Sequence, residues 1–173
     1  MVNKFAIVFT LLFCVACANV QNFITGYKAY RHPSLQFEIV YPKSWKVVEN
    51  GSFGTQVQFL SSQPGIFLAN ANVTVNRSPD LTLDEIADLS VKQLSILLKG
   101  YEIKTKALGH LGKQQAVDLR AIYEGAEGPR LIRSVISIIN EMQYVFTFTC
   151  EASKEREYEK TINKMIDSFT VKP

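Results

Sequence analysis

The chain has 173 residues, 47% hydrophobic and 20% charged, with a formal charge of +3. That balance excludes a disordered or fibrous protein and fits one domain around one well-covered core. Loss of Lys4 with the leading segment lowers the charge to +2, too little to point to nucleic acid or an acidic substrate.

Met1, Val2, Asn3 and Lys4 precede an apolar run from Phe5 to Ala18 broken only by Thr10. A charged start and a short apolar run are the marks of a secretory signal, and a spanning helix needs about 20 apolar residues. Residues 1–18 are therefore expected to be a signal peptide or a lipoprotein signal. Two exits fit. Ala16-Cys17-Ala18 matches the small-x-small pattern of cleavage after Ala18, whereas Val15-Ala16-Cys17 resembles a bacterial lipoprotein box and makes Cys17 the lipidation site. Cys14 stands where such boxes usually carry Leu. The expected location is the periplasm or cell envelope, with the chain anchored through Cys17 or else secreted. Acyl chains on Cys17 would hold the domain on a membrane surface without spanning it.

Residues 19–34 lack a clean period and are read as a tether leading into a first strand; 35–173 form the domain. Phe37, Ile39 and Tyr41 alternate with Gln36, Glu38 and Val40 up to Pro42, and Trp45, Val47 and Val48 resume an extended pattern. Thr55–Ser62 and Ile66–Arg77 flank Pro64-Gly65 and read as a hairpin. In its second strand Phe67, Ala69, Ala71, Val73 and Val75 share one face, and Asn70, Asn72, Thr74 and Asn76 share the other. Thr82 with Glu85 forms a capping box, Leu81 can staple onto Ile86, and Gly100 ends the helix. Its expected apolar stripe is Leu83, Ile86, Ala87, Leu94, Leu97 and Leu98. Strand-like runs follow at 101–108, 114–123, 130–139 and 142–151, the last two joined by Asn140-Glu141. A second helix after Ser153 presents Tyr158, Ile162, Met165, Ile166 and Phe169.

This order predicts an α+β fold, an α/β/α sandwich with a central antiparallel sheet covered by helices. Trp45, Phe59, Val73, Tyr144, Phe146 and Phe148 are the expected core. Cys150 shares the face of Tyr144, Phe146 and Phe148 and reads as a small buried side chain, without a disulfide partner in the mature domain. His32 precedes the domain and His110 sits in a turn, so neither has the pairing of a metal ligand. Asp80, Asp84 and Asp88 recur at helical spacing beside Glu85, and acids in the first turns complement the helix dipole. Gly109–Lys113 lies between strands, the place of a hairpin turn rather than a phosphate cradle. Lys104, Lys106, Lys113, Arg120, Arg130 and Arg133 suggest at most a mildly basic sheet face without interleaved exposed aromatics.

The stretch FEIVYPKSWKV, Phe37–Val47, resembles the F-x-I-x-Y-P-x-x-W-x-V opening of the PsbP-like superfamily, which includes DcrB-type bacterial envelope lipoproteins and the extrinsic photosystem II protein. Three later segments agree in order: the Leu108–Lys113 turn leading into AVDLRAIY, the strand YVFTFTCEAS, and the helix closing on Ile166-Asp-Ser-Phe169. The resemblance spans about residues 35–171. It implies the sandwich above, a non-catalytic accessory or assembly role, and often a lipid anchor. Ser44 replaces a glycine common in photosynthetic members, and the stretch Val48–Val73 is short, which argues against a photosystem role.

The expectation is thus an exported envelope protein acting by protein–protein interaction. It has no catalytic, cofactor-binding or metal-binding residue, no cofactor and no nucleic-acid partner. Its partners would be an unidentified envelope protein and, through Cys17, a membrane surface. The alternative is a small-ligand or lipid carrier, which requires an aromatic-lined cavity.

Overall fold

The computed structural model describes residues 26–51, 54–63 and 67–172. The leading segment 1–18, both processing alternatives at Cys17, and the Pro64-Gly65 turn lie outside them.

In chain order the elements are β1 (Tyr27–Arg31), β2 (Phe37–Pro42), β3 (Lys46–Glu49), β4 (Thr55–Leu60), β5 (Asn70–Arg77) and α1 (Leu83–Leu97). Then come β6 (Glu102–Leu111), β7 (Gln114–Gly125), β8 (Gly128–Ile139), β9 (Met142–Glu151), α2 (Glu155–Asp167) and β10 (Thr170–Val171). Seven strands form one antiparallel sheet in the order β3-β4-β5-β9-β8-β7-β6, and β1-β2-β10 form a second. Pro42 lacks the amide needed to continue a ladder, and the chain leaves β2 there to enter the large sheet at β3.

Alternation along each strand sorts the side chains into two cores. Phe37, Ile39 and Tyr41 of the small sheet pack with Phe59, Val73, Tyr144, Phe146 and Phe148 of the large one, and Tyr158, Ile162 and Met165 of α2 close the same cluster. On the opposite face Ile86 and Ala87 of α1 bury against Val117, Leu119 and Ile136. The six expected core residues are all buried. The family-like motif is therefore structural: its Phe, Ile, Tyr and Trp fill the main core, and Trp45 meets Tyr158 edge-on at 6.1 Å.

Several expectations need correction. The central sheet is antiparallel as expected, but one of its faces is covered jointly by α2 and a three-stranded sheet rather than by a helix alone. Residues 27–31, read as tether, form β1. Its pairing with β2, Tyr30 opposite Ile39, is a tertiary contact that local periodicity does not reveal. β10 escapes notice for the same reason, having two residues held by Phe37 and Glu38. The strand of 101–108 runs on to Leu111, so the hairpin turn is Gly112-Lys113 alone. Asn140 and Glu141 both have positive φ, 50° and 62°, the backbone of a tight hairpin whose twist suits the flanking strands. Phe67 leaves the core face: β5 begins only at Asn70, and the Phe67 ring stacks on the Arg130 guanidinium at 4.3 Å.

Candidate partner interface

The capping box forms as read: Glu85 N donates to Thr82 Oγ1 at 3.3 Å and Thr82 N donates to Glu85 Oε2 at 2.8 Å. These bonds hold the Glu85 carboxyl below its usual range. Burial then declines along the helix, complete at Ile86 and Ala87 and partial at Val91 and Leu94. Leu97, expected in the buried stripe, is 76% exposed, as is Ile96. Leu81, the expected staple, also stays exposed, so α1 touches the sheet mainly through its first two turns.

Beside α1 runs β6, the edge of the large sheet, ten residues long and exposed over most of its length. Its pairing with β7, Lys106 opposite Leu119 and Leu108 opposite Val117, turns those side chains toward the α1 side of the sheet. Lys106 Nζ lies 2.7 Å from Asp84 Oδ1 and 2.5 Å from Asp88 Oδ1, and these bonds raise its pKa. Two of the three regularly spaced acids are thus held by one lysine of the neighbouring strand. Leu108 is 77% exposed, and Ile103 is exposed as well. Leu81, Leu89, Ile96, Leu97, Ile103 and Leu108 account for six of the seven exposed large hydrophobic residues among those described. Leu89, Ile96 and Leu97 lie on α1, Leu81 just before it, and Ile103 and Leu108 on the neighbouring strand, so this side of the sheet carries most of the exposed apolar side chains among the described residues.

The other singled-out residues are dispersed. Cys150 is fully buried; burial, assisted by Glu155 and Glu151, pushes its thiol up to about 12, so it carries no nucleophilic thiolate near neutrality. His32, placed before the domain by sequence, belongs to it: the ring stacks on Phe37 at 5.1 Å and Nδ1 accepts the amides of Ser34 and Leu35. His110 meets only Asp167, at 2.8 Å on the surface. Among the described residues no three His, Cys, Asp or Glu side chains converge as metal ligands would.

The basic residues divide between faces and are mostly neutralised. Lys104 pairs with Glu102, Arg120 with Glu155 and Arg130 with Glu127, while Arg133 grips Asp118 with contacts of 2.7 and 3.1 Å. Arg133 also donates to Asn163 Oδ1 at 2.7 Å, tying β8 to α2. Lys154 Nζ lies 3.3 Å from Glu151 Oε1 without a directed hydrogen bond, so charge alone compensates that buried oxygen.

Two concavities stand out among the described residues. The space under α2, lined by Arg120, Leu131, Arg133 and Phe148, measures about 10 Å³, room for one water. A shallow groove of about 200 Å³ beside His32, Phe37 and Lys172 opens to solvent, below the size of ordinary ligand pockets. Neither is the aromatic-lined cavity that a carrier requires.

No family model matches the sequence, and no curated protein matches it. Solved structures do match the fold. Cyanobacterial PsbP (CyanoP) from Synechocystis is 15% identical with a TM-score of 0.68, the match covering 91% of this chain and 98% of that one. LpqN, described as involved in cell envelope biogenesis of Mycobacterium tuberculosis, is 13% identical with a TM-score of 0.65, covering 85% of this chain and 91% of that one. A Pseudomonas aeruginosa protein of unknown function reaches a TM-score of 0.61 at 13% identity, covering 85% and 98%. The motif that opens at Phe37 and the architecture built on it thus agree: the chain has the PsbP-like fold.

Proposed function

We propose that this protein is a non-catalytic accessory or assembly factor of the cell envelope, exported by its leading segment, and that it binds a protein partner through the α1–β6 face. The observation that carries the proposal is the exposure of Leu89, Ile96 and Leu97 on α1 and of Ile103 and Leu108 on β6, a sheet edge that no other described strand pairs. Covering such side chains contributes about 1.5–3 kcal/mol each when complete, so a few are enough for a specific contact. The outer edge of β6 offers a partner backbone hydrogen bonds of known direction, and the Lys106–Asp84–Asp88 cluster supplies polar contacts within the same face. The envelope role stated for LpqN, which shares the fold, supports the setting.

The test is photocrosslinking in cells from a benzoyl-phenylalanine placed at Leu97 or Leu108, with Leu68, an exposed leucine away from this face, as control. A discrete adduct from the first two positions and none from Leu68 is expected. With the probe at Leu97, Ile96→Asp with Leu108→Asp should abolish the adduct and leave stability within about 0.5 kcal/mol, because both side chains are already in water. Adducts of equal yield at all three positions, or none at any, would overturn the assignment.

A further inference from the structure

We infer that the end of the domain where the chain enters β1 rests on an anionic phospholipid surface, with Lys28, Lys43, Lys160 and Lys164 against the headgroup phosphates. The inference rests on the reading that the leading segment keeps the protein at a membrane.

Four lysines from three separate segments border that entry point, Lys28 on the face of β1 opposite Tyr27. Gly26 O accepts the amide of Lys43 at 2.8 Å, which sets Lys43 beside the first described residue, and Lys28 follows two positions later. Tyr27 lies toward α2: its hydroxyl is 3.4 Å from Thr161 Oγ1 and its ring lies 4.1 Å from Lys164 Nζ. Lys160 is one turn before Lys164 on the same side of the helix. Lys28, Lys43 and Lys160 are exposed and Lys164 is half-buried.

None of the four makes an ion pair among the described residues, and the same holds for Lys46, Arg77, Lys92, Lys113, Arg156 and Lys172, so it is their nearness to the chain entry that sets the four apart. Glu157 is the one carboxylate on the Tyr27 side of α2, and Asp167 at the far end is engaged by His110. A local excess of positive charge therefore sits where the chain comes from the leading segment.

The length of the connection identifies the occupant. Residues 18–25 separate Cys17 from Gly26, and a chain advances at most about 3.6 Å per residue, so Gly26 stays within about 30 Å of Cys17. Held that close, the lysines meet the headgroups at high effective concentration. Acyl chains on Cys17 would supply the anchor, and a basic patch adds electrostatic attraction to anionic headgroups. The α1–β6 face lies on the other side of the large sheet from α2, so docking leaves it open.

The experiment uses the full chain reconstituted into vesicles of phosphatidylcholine, or of phosphatidylcholine with roughly a third phosphatidylglycerol, followed by brief acetylation and mass spectrometry of each lysine. On anionic vesicles Lys28, Lys43, Lys160 and Lys164 should react at least about threefold more slowly than on neutral ones, and Lys92 and Lys99 of the α1 side unchanged; salt at about 0.5 M should erase the difference. In Lys160→Glu with Lys164→Glu, both on the helix exterior, Lys28 and Lys43 should lose their protection. Equal rates on both kinds of vesicle, with the chain still bound, overturn the inference and leave the membrane reading standing. A chain retained by neither vesicle overturns both.

Discussion

A β-carbon on Gly112 would stand 1.8 Å from the carbonyl oxygen of Phe169. The two meet because the β6–β7 turn packs under the junction of α2 and β10, where Gly112 N also donates to Ile166 O at 2.8 Å. Gly112 has φ of +61° as well, so two separate reasons exclude a side chain.

Gly112→Ala is therefore expected to lower stability by at least about 2 kcal/mol. Gly128→Ala isolates the conformational part, because Gly128 has φ of +116° and a β-carbon there would meet no atom within 4 Å. Urea midpoints of the two variants check this: Gly112→Ala must lose clearly more than Gly128→Ala.

Arg133 is 11% exposed and Asp118 19%, so each relies on the other for its charge. Asp118→Ala should cost about 2–3 kcal/mol, the usual penalty for an orphaned buried charge reduced for residual solvent. Replacing both, Asp118→Leu with Arg133→Met, should cost far less, and a double-mutant cycle by chemical denaturation reads the difference.

The Cys150 thiol, ordinarily near 9, is raised to about 12 by burial. A folded-state pKa above the unfolded one means stability that is complete below about pH 9 and lost as pH climbs toward about 12. Cys150→Ala should make the alkaline limb of a stability–pH profile shallower. It should not flatten it, since burial raises Tyr30 and Tyr144 in the same direction. At neutral pH, alkylation followed by peptide mass spectrometry should find Cys150 protected until denaturant is added.

Thr82→Ala removes one half of the capping box and should cost about 1 kcal/mol. Glu85 has its carboxyl lowered by the Thr82 bonds, so its share is present above the ordinary value of 4.5 and lost as pH falls through the folded value. The gap between wild type and Thr82→Ala should narrow in acid, measured by thermal melts across that range.

The sequence carried the local punctuation faithfully. Asn140-Glu141 places Met142 opposite Ile139 and so starts β9, because a two-residue turn allows one register only, and Thr82 with Glu85 fixes the start of α1. It did not carry β1 or β10, whose only sheet partner among the described residues is β2, chosen by contacts between Tyr30 and Ile39 and between Val171 and Phe37. The α1–β6 face was hidden for a different reason. Helical periodicity assigns Leu97 to the stripe of Ile86, yet how far a sheet supports a helix depends on where the two diverge, which no spacing encodes. The same holds for the lysines at the chain entry, scattered over positions 28 to 164 and brought together only by Tyr27 reaching α2.

β2 lies between β1 and β10, so the small sheet is closed by the first and last strands of the described chain. A polypeptide emerging N-terminus first from a ribosome or a translocation channel cannot finish that sheet until Val171 is free. Phe37 and Glu38 must wait, still unpaired on one side, until Thr170 and Val171 follow. Completion of this domain is therefore tied to the emergence of β10, which makes two short-strand residues decisive for the moment of folding.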